Sequence, residues 1–265
     1  MKKFWFILTA LVATCFLVAC SGSQGVSPKT IKEKKKIVVA TESEFAPFEF
    51  KSLVNGKDTL VGADIELAKA IGEKLGVKVE FSVMSFDNVL ANVQSGKADI
   101  AIAGISVTDE RKKVYDFSDS YYTSENVVIV KKDKVIDYTS TDSLAKQTVG
   151  TQKGSVQETV AKKQIPKASV VSLASNGEMI NELKSGQIQA VVLEKAIAEG
   201  YIAQNDDLTL ANFNLKSDGT DAYAVATRKG SDDLLKEINA VIKETKDSGK
   251  FDQWLKEAST YKQSK

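Results

Sequence analysis

The sequence predicts an α/β protein built of two lobes that are joined by two crossings of the chain. Segments typical of strands and helices alternate from about residue 36 to residue 103, and the alternation restarts near residue 127. Strands that alternate with helices favour a parallel sheet in each lobe. The last strand and helices, from residue 222 onward, have no partner strands of their own, so we expect them to return to the first lobe.

The first lobe begins with a strand, because Ile37 to Ala40 is a continuous apolar run typical of a strand covered on both faces. Residues 64–75 carry apolar side chains at helical spacing, with Asp64 as the expected N-cap and Gly76 as the end of the helix. The remaining elements of this lobe are a strand at residues 77–83, a short helix capped by Asp87 and ended by Gly96, and a strand at residues 98–103.

The second lobe repeats this alternation. Its predicted strands lie at residues 127–130, 148–151, 169–173 and 188–193, and its helices at 156–163, 178–184 and 196–203. A strand at residues 222–227 and helices at 232–246 and 251–258 follow. We therefore assign residues 36–123 and 219–265 to lobe 1 and residues 124–218 to lobe 2.

Two lobes joined by two crossings imply a hinge near residues 123 and 219 and a cleft between the lobes. Ligands of open α/β sheets bind beyond the carboxyl ends of the strands. In this sequence those ends carry Glu42, residues 104–106, residues 152–155 and Glu194.

The N-terminus predicts an exported, lipid-anchored protein. Lys2 and Lys3 precede an apolar run that is too short for a good membrane span, and residues 17–20 (Leu-Val-Ala-Cys) resemble a bacterial lipobox. We expect residues 1–19 to be a lipoprotein signal peptide, Cys20 to be lipidated after cleavage, and residues 20–35 to form a flexible tether. The protein would then sit on the extracytoplasmic face of the bacterial cell membrane.

The composition excludes several kinds of chemistry. The chain has no histidine, and its two cysteines are Cys15, in the predicted signal, and Cys20. Ser-His-Asp and Cys-His catalysis and histidine or cysteine metal sites are therefore ruled out. We expect no metal and no cofactor. A net charge of +1 does not suggest a nucleic-acid partner.

Residues 103–113 (AGISVTDERKK) form the most informative segment. A predicted strand runs into Gly104, Ser106 and Thr108 follow, and Arg111 is one of only two arginines in the chain. Free backbone N–H groups and the positive end of a helix dipole converge at such a point. Because the arginine adds a planar fork that grips a carboxylate, the segment predicts a carboxylate-binding site. A Ser/Thr cap followed by a surface arginine explains it equally well when it is taken alone.

Four segments, spread over nearly all of the chain after the tether, resemble the polar amino acid-binding proteins of bacterial ABC transporters, the family 3 extracellular solute-binding proteins. They are residues 40–50 (ATESEFAPFEF), 62–81 (GADIELAKAIGEKLGVKVEF), 95–122 (SGKADIAIAGISVTDERKKVYDFSDSYY), and 150–160 with 182–196. The resemblance implies a type II periplasmic-binding-protein-like fold. It also implies a hinged monomer that closes on one free L-amino acid and delivers it to the permease subunits of an importer.

The resemblance also implies a set of residues that bind the α-amino acid group. Arg111, with backbone N–H groups near Ser106 and Val156, would hold the carboxylate. Glu194 would pair with the ammonium, and the Ser106 hydroxyl and the Gly104 carbonyl would complete its surroundings.

A second set would read the ligand's side chain. Phe45 and Phe86 match the two aromatic positions that sandwich it, and Glu42 stands where several family members read its distal group. Gln152 and Ser155 line the opposite strand end. A neutral Gln152, where some glutamine binders have lysine, favours a cationic ligand, arginine ahead of lysine, although glutamine remains open. An anionic amino acid is disfavoured, because its side-chain carboxylate would be buried unpaired and facing Glu42.

Three alternatives to a transport protein are weaker. The fold also serves dehydratases and cell-wall lyases, but the lack of histidine and the binding roles available to Arg111 and Glu194 argue against an enzyme. A ligand sensor would need a second membrane segment or an output domain. A lipid-anchored adhesin would leave the cleft residues unexplained.

Overall fold

The computed structural model describes residues 25–217 and 219–264. Its strands are β1 (Lys36–Thr41), β2 (Glu44–Phe45), β3 (Glu49–Val54), β4 (Lys57–Val61), β5 (Lys78–Val83), β6 (Ile100–Ala101), β7 (Tyr115–Phe117), β8 (Tyr122–Thr123), β9 (Asn126–Lys131), β10 (Thr148–Gln152), β11 (Ser169–Leu173), β12 (Ala190–Glu194), β13 (Leu208–Leu210), β14 (Ala222–Tyr223) and β15 (Ala226–Arg228).

Its helices are α1 (Pro28–Lys34), α2 (Ala63–Leu75), α3 (Phe86–Gln94), α4 (Asp109–Lys112), α5 (Gln157–Gln164), α6 (Asn176–Ser185), α7 (Lys195–Gln204), α8 (Asp232–Asp247) and α9 (Lys250–Ala258), with short 3₁₀ turns at Lys132–Asp137 and Thr141–Leu144. None of these helices, within the described ranges, is long and apolar enough to cross a membrane.

Two five-stranded sheets form the centres of two lobes, which confirms the predicted fold class. The first sheet has the order β5-β1-β6-β15-β7 and the second the order β11-β10-β12-β9-β13. Because β15 lies between β6 and β7, the last part of the chain contributes a strand to the first sheet.

The parallel pairing predicted for the alternating strands and helices is confirmed for three strands of each sheet, but each sheet also contains an antiparallel strand. The strands β5, β1 and β6 are parallel, as are β11, β10 and β12, but β15 and β9 run antiparallel to their neighbours. Parallel neighbours require a crossover connection such as a helix. The chain instead reaches β9 and β15 directly from the segments that join the lobes, without a helix in between. No helical crossover therefore sets the direction of these two strands.

The two crossings meet in a short antiparallel ladder between the sheets. Tyr122 pairs with Tyr223 and Thr123 pairs with Ala222. The predicted strand at residues 222–227 is therefore two strands, one in this ladder and one in the first sheet. Tyr223 is completely buried, and its ring packs 5.4 Å from that of Phe48.

A three-stranded antiparallel sheet, β2-β3-β4, covers one end of the first lobe and was not predicted from the sequence. Phe48 and Phe50 are fully buried there. The helix α2 begins directly after this sheet, and Gly62 is its N-cap residue. Only glycine fits at this position, because a Cβ at Gly62 would lie 2.0 Å from the carbonyl oxygen of Phe48. The prediction that Asp64 caps this helix is thus wrong, and Asp64 is a buried residue of the first turn.

The flexible tether predicted for residues 20–35 is also wrong over the part that the structure describes. Ser27 and Thr30 form a capping box that starts α1, and Ile31 is fully buried. The Val26 N–H donates to the Ser231 hydroxyl at 2.8 Å. The prediction rested on the polar, lysine-rich composition of this segment, but the burial of Ile31 is enough to hold the helix against the first lobe. The predicted signal peptide, Cys20 and residues 20–24 lie outside the described residues.

Candidate functional site

The residues predicted from the strand ends come together between the two sheets. Glu42 follows β1, and Gly104 and Ser106 follow β6 in the first lobe; Gln152 ends β10 and Glu194 ends β12 in the second. A hydrogen bond between Gln152 and Glu42 shows that the two groups of strand ends face each other. The interlobe cleft is therefore the candidate site.

Arg111 lies on α4, whose first turn is capped by the Thr108 hydroxyl, which accepts from the Arg111 N–H at 3.1 Å. Its guanidinium donates to the carbonyl of Ser106 at 2.7 Å and, across the cleft, to the carbonyl of Gly154 at 3.1 Å. Burial lowers the pKa of Arg111 to about 10, so the side chain stays cationic at neutral pH. These bonds use two of the five N–H donors that a guanidinium has.

Glu42 is a buried carboxyl group, with 4% of its surface exposed. The Nε2 amide of Gln152 donates to both of its oxygens, at 3.2 and 3.1 Å. Burial raises the pKa of Glu42 to about 8, and the negative charges of Glu44 and Glu194 act in the same direction. A neutral amide offsets only part of this cost, so the ionised form of Glu42 would be stabilised by a cation beside it.

Glu194 is the second buried carboxyl group of the cleft and stands at the N-terminus of α7. It accepts a hydrogen bond from Nε2 of Gln157 at 2.8 Å, and the same amide group donates to Asn126 at 2.7 Å. Burial raises the pKa of Glu194 to about 7, whereas the Gln157 bond and the charge of Arg111 oppose the rise. Gln157 and Asn126 were missed from the sequence, where Gln157 is marked only by its place in the first turn of a predicted helix.

Phe45 and Gly104 form one packed unit. The Phe45 ring is buried and lies 5.9 Å from the ring of Phe48 and 6.3 Å from that of Tyr223. Gly104 has a φ of +52°, and a Cβ on it would lie 2.5 Å from Cε1 of Phe45. Only glycine fits under the ring in this backbone conformation.

Phe86 lies beside Arg111 in the first lobe. It is the first residue of α3 and is buried, and the guanidinium carbon of Arg111 lies 5.9 Å from the centre of its ring. This distance is within the range of a cation–π contact. The ring therefore helps to fix the position of the cleft's arginine.

Ser155 and Val156 stand where β10 leads into α5. The Ser155 hydroxyl donates to the carbonyl of Gln152 at 2.7 Å, and Val156 is the N-cap residue of the helix. The first N–H groups of α5 have no partners within the helix. This edge of the second lobe is therefore suited to an anionic group that also meets Arg111.

The two lobes touch each other directly around the cleft. Lys153 forms an ion pair with Asp87 at 2.8 Å, and the Gly177 N–H, at the start of α6, donates to the Glu44 carboxylate at 3.0 Å. The prediction that Asp87 caps α3 is wrong, because Ser85 is the N-cap residue and Asp87 reaches across to Lys153 instead. The arrangement is a closed one, held by polar contacts at the rim.

Among residues 25–217 and 219–264, no group of three or more histidine, cysteine, aspartate or glutamate residues could hold a metal ion.

Comparison with known proteins identifies the family. The family model for bacterial extracellular solute-binding proteins, family 3, matches residues 37–258. The chain is 35% identical to the arginine-binding extracellular protein ArtP of Bacillus subtilis (strain 168) over 261 residues, 97% of each chain. It is 32% identical to the glutamine-binding protein GlnH of the same organism, covering 97% of this chain and 98% of GlnH.

A solved structure agrees with these relatives. The amino acid ABC transporter substrate-binding protein AbpA from Streptococcus pneumoniae Canada MDR_19A, bound to L-arginine, is 50% identical, with a TM-score of 0.86 over 89% of this chain and 100% of that one. The family model and these similarities cover the sheets and the cleft alike. The chain belongs to the bacterial extracellular solute-binding proteins of family 3.

Proposed function

We propose that this protein is the extracytoplasmic binding protein of an amino acid ABC importer and captures free L-arginine, ahead of L-lysine, in the interlobe cleft. The family supports a role in transport, and similarity to ArtP and to the arginine-bound AbpA structure supports the ligand. Under this proposal the protein binds and releases its ligand without changing it chemically.

The observation that carries the choice of ligand is the buried Glu42. Its hydrogen-bond partner among the described residues is the neutral amide of Gln152, and burial disfavours its ionised form. A ligand that brings a cation to Glu42 removes this cost. A guanidinium suits the position because it offers several planar donors to a carboxylate.

The charges of the cleft favour the same class of ligand. Glu42 and Glu194 are acidic and Arg111 is cationic, so the ionised set carries one net negative charge. Arginine and lysine each carry one net positive charge, whereas zwitterionic glutamine carries none. A cationic amino acid therefore leaves no unmatched charge in the closed cleft.

Each part of the ligand has a proposed partner. Arg111 and the N–H groups near Ser106 and Val156 bind the carboxylate, and Glu194 with the Gly104 carbonyl binds the ammonium. The ligand's side chain then passes the aromatic rings, Phe45 and Phe86, and reaches Glu42. Gln152 and Ser155 close over it from the second lobe.

The remaining elements of the proposal concern the whole protein. Residues 36–123 with 219–265 would form one rigid lobe and residues 124–218 the other, with the Tyr122–Tyr223 ladder as the hinge. Cys20 would carry the lipid anchor. The monomer would deliver its ligand to the permease subunits at the extracytoplasmic face of the membrane.

The test is a calorimetric screen of the twenty L-amino acids, with D-arginine as a matched control for the α-carbon contacts. We expect arginine to bind most tightly, lysine more weakly, and D-arginine much more weakly than either. Tight binding of a neutral or acidic amino acid together with no binding of arginine would overturn the choice of ligand. No binding of any amino acid would overturn the function.

Glutamine is the second candidate, and one contact favours it. Glu42 accepts two hydrogen bonds from a carboxamide, that of Gln152, so a ligand carboxamide could take the same place. GlnH of Bacillus subtilis, a glutamine-binding protein by name, is 32% identical to this chain. The same screen separates the two candidates.

A further inference from the structure

A pair of buried acids below the cleft takes no part in the contacts described above. Glu49 lies on β3, directly opposite Phe45 in the β2–β3 ladder, and Asp64 lies in the first turn of α2. Both residues are completely buried. Two acids at such positions need partners, because an unpaired buried carboxylate is costly.

Asp64 connects α2 to the floor of the cleft. One of its oxygens, Oδ2, accepts from the Gly104 N–H at 3.0 Å and from the Tyr121 hydroxyl at 2.8 Å. Its own N–H donates to the carbonyl of Phe48 at 2.9 Å, which fixes the start of the helix on the β2–β3 turn. Asp64 therefore holds the peptide of Gly104, on which the Phe45 ring rests.

Three carboxyl oxygens remain in this cluster, both of Glu49 and Oδ1 of Asp64. None of the three receives a hydrogen bond from an N–H or O–H donor within residues 25–217 and 219–264. The backbone brings the two residues together, because the Asp64 N–H donates to the carbonyl of Phe48, the residue directly before Glu49, and each carboxyl group shifts the pKa of the other. A single proton between them would give each group its missing partner.

The surroundings decide which acid keeps the proton. Burial, and next the charge of Asp64, raise the pKa of Glu49 well above its usual range. Burial raises the pKa of Asp64 only to about 6, because the Gly104 N–H and the Tyr121 hydroxyl stabilise its ionised form. The first turn of α2 favours a negative charge at Asp64 as well.

The other groups that face Glu49 do not favour its ionisation. They are the acids Glu42 and Glu194, at the ends of β1 and β12. The hydroxyl groups of Tyr121 and Tyr223 lie near Glu49 and Asp64 and are neutral, since burial raises the pKa of each well above its usual value.

We propose that Glu49 and Asp64 share one proton and act as a positioning pair for the ligand site, in which Glu49 donates to Asp64 and Asp64 holds Gly104 beneath Phe45. The pair touches no ligand. It fixes the backbone N–H of Gly104 and, through it, the Phe45 ring, which are two uncharged groups of the first lobe. Its effect on affinity rests on the proposed capture of arginine.

The first arm of the test is infrared spectroscopy of the full protein without added amino acid, in which a protonated carboxyl group gives its own C=O band. The spectra are taken at about pH 9, above the pKa of about 8 of Glu42 and of about 7 of Glu194, so that those two acids are mostly ionised. We expect one protonated-carboxyl band that Glu49→Gln removes and that Glu80→Gln, a control on an exposed strand residue, leaves unchanged. The comparison of wild type with Glu49→Gln is repeated at about pH 7, and a wild type that shows no band removed by Glu49→Gln at either pH would overturn the proposal.

The second arm compares two substitutions of Glu49 by calorimetry with L-arginine. Gln keeps a donor for Asp64, whereas Leu has a similar size and no donor. We expect Glu49→Gln to bind within about twofold of wild type and Glu49→Leu to lose about tenfold or more, since it leaves a buried acceptor unpaired. Equal losses in the two variants would overturn the positioning role.

The two arms separate this proposal from the proposed function. If wild type shows the band but binds no arginine, the proton-sharing pair stands and the choice of ligand fails. If Glu49→Leu does not fold, by circular dichroism and thermal unfolding, the infrared difference between wild type and Glu49→Gln still decides.

Discussion

The two walls of the cleft differ in how their polar groups are held. In the first lobe, Arg111 is fixed by the Ser106 carbonyl and Gly104 by Asp64, so this wall is assembled by bonds within its own lobe. In the second lobe, Glu194 is held by Gln157 within the lobe, but Gln152 donates to Glu42 and the Gly154 carbonyl accepts from Arg111, both across the cleft. Arg111 and Gly104 can thus be in place in an open protein, whereas the contact between Gln152 and Glu42 depends on closure.

This difference indicates that the two lobes act at different stages of ligand binding. The ligand would meet the first wall while the lobes are apart, and the second wall would then close over it and hold the closed state. Substitutions in the first wall should weaken binding most. Substitutions at the rim should act mainly through the rate at which the closed state opens.

The largest effect is expected for Arg111→Ala. It leaves the ligand's carboxylate unpaired in a closed cleft, at a cost of about 2–5 kcal/mol of binding free energy. Calorimetry with L-arginine measures this loss, and Lys112→Ala, on the exposed side of the same helix, is the matched control. An affinity near that of wild type for Arg111→Ala would contradict the role of Arg111 in binding the ligand's carboxylate.

Gly104→Ala should have the next largest effect, about 1–3 kcal/mol, shared between stability and binding. Its Cβ would lie 2.5 Å from Phe45 Cε1. Gly56→Ala is the control, because Gly56 has a φ of +75° but open space around it, and so carries the backbone strain without the collision. If the two variants unfold at the same temperature and bind equally well, the contact between Phe45 and Gly104 is not a constraint.

The pH dependence of binding follows from the two buried acids. Burial raises the pKa of Glu42 to about 8 and of Glu194 to about 7, so both are partly protonated near neutral pH. A cationic ligand favours their ionised forms and therefore displaces protons. We expect arginine affinity to rise as the pH increases from about 6 to about 8 and then to level off, with proton release seen by calorimetry in buffers of different ionisation enthalpy.

Stability without added amino acid should change in the opposite direction over the same range. Because the folded protein binds more protons than the unfolded chain between pH 4.5 and about 8, its free energy of unfolding falls as the pH rises through that window. Chemical denaturation at several pH values measures this free energy of unfolding.

For the binding measurement, an arginine affinity that stays flat or falls as the pH rises would contradict the assignment of Glu42 and Glu194 to the ligand's positive groups.

The smallest effect is expected at the rim, for Glu44→Gln. Glu44 accepts from the Gly177 N–H, at the N-terminus of α6 in the opposite lobe. Loss of its charge there should cost about 0.3–1 kcal/mol, seen as faster dissociation in stopped-flow measurements. Glu80→Gln, away from the cleft, is the control. A loss as large as that of Arg111→Ala would mean that the rim, and not the first wall, dominates affinity.

The sequence predicted the parts of the fold that periodicity encodes. The long helices α2, α8 and α9 lie within two residues of their predicted bounds, and the strand ends that carry Glu42 and Gln152 do face one cleft. Their apolar spacing is a local signal. The β2–β4 sheet was missed because β2 has only two residues and β3 buries the charged Glu49.

The partners of the site residues could not be found in the same way. Asp64 and Gly104 are forty positions apart, and Gln157 meets Asn126 and Glu194 through three separate elements. Contacts of this kind depend on the packing of the lobes and leave no spacing in the sequence. For Asp64, a plausible local role as an N-cap concealed the long-range one.

The most direct test of the central claim, that Glu42 selects a cationic side chain, combines one substitution with two ligands. Calorimetry of wild type and Glu42→Gln is carried out with arginine and with glutamine. A charge-assisted hydrogen bond is worth about 1.5–3 kcal/mol, so arginine should bind about tenfold or more weakly to Glu42→Gln, while glutamine changes much less. If arginine binds both forms equally well, or glutamine loses as much as arginine, Glu42 does not read the ligand's charge.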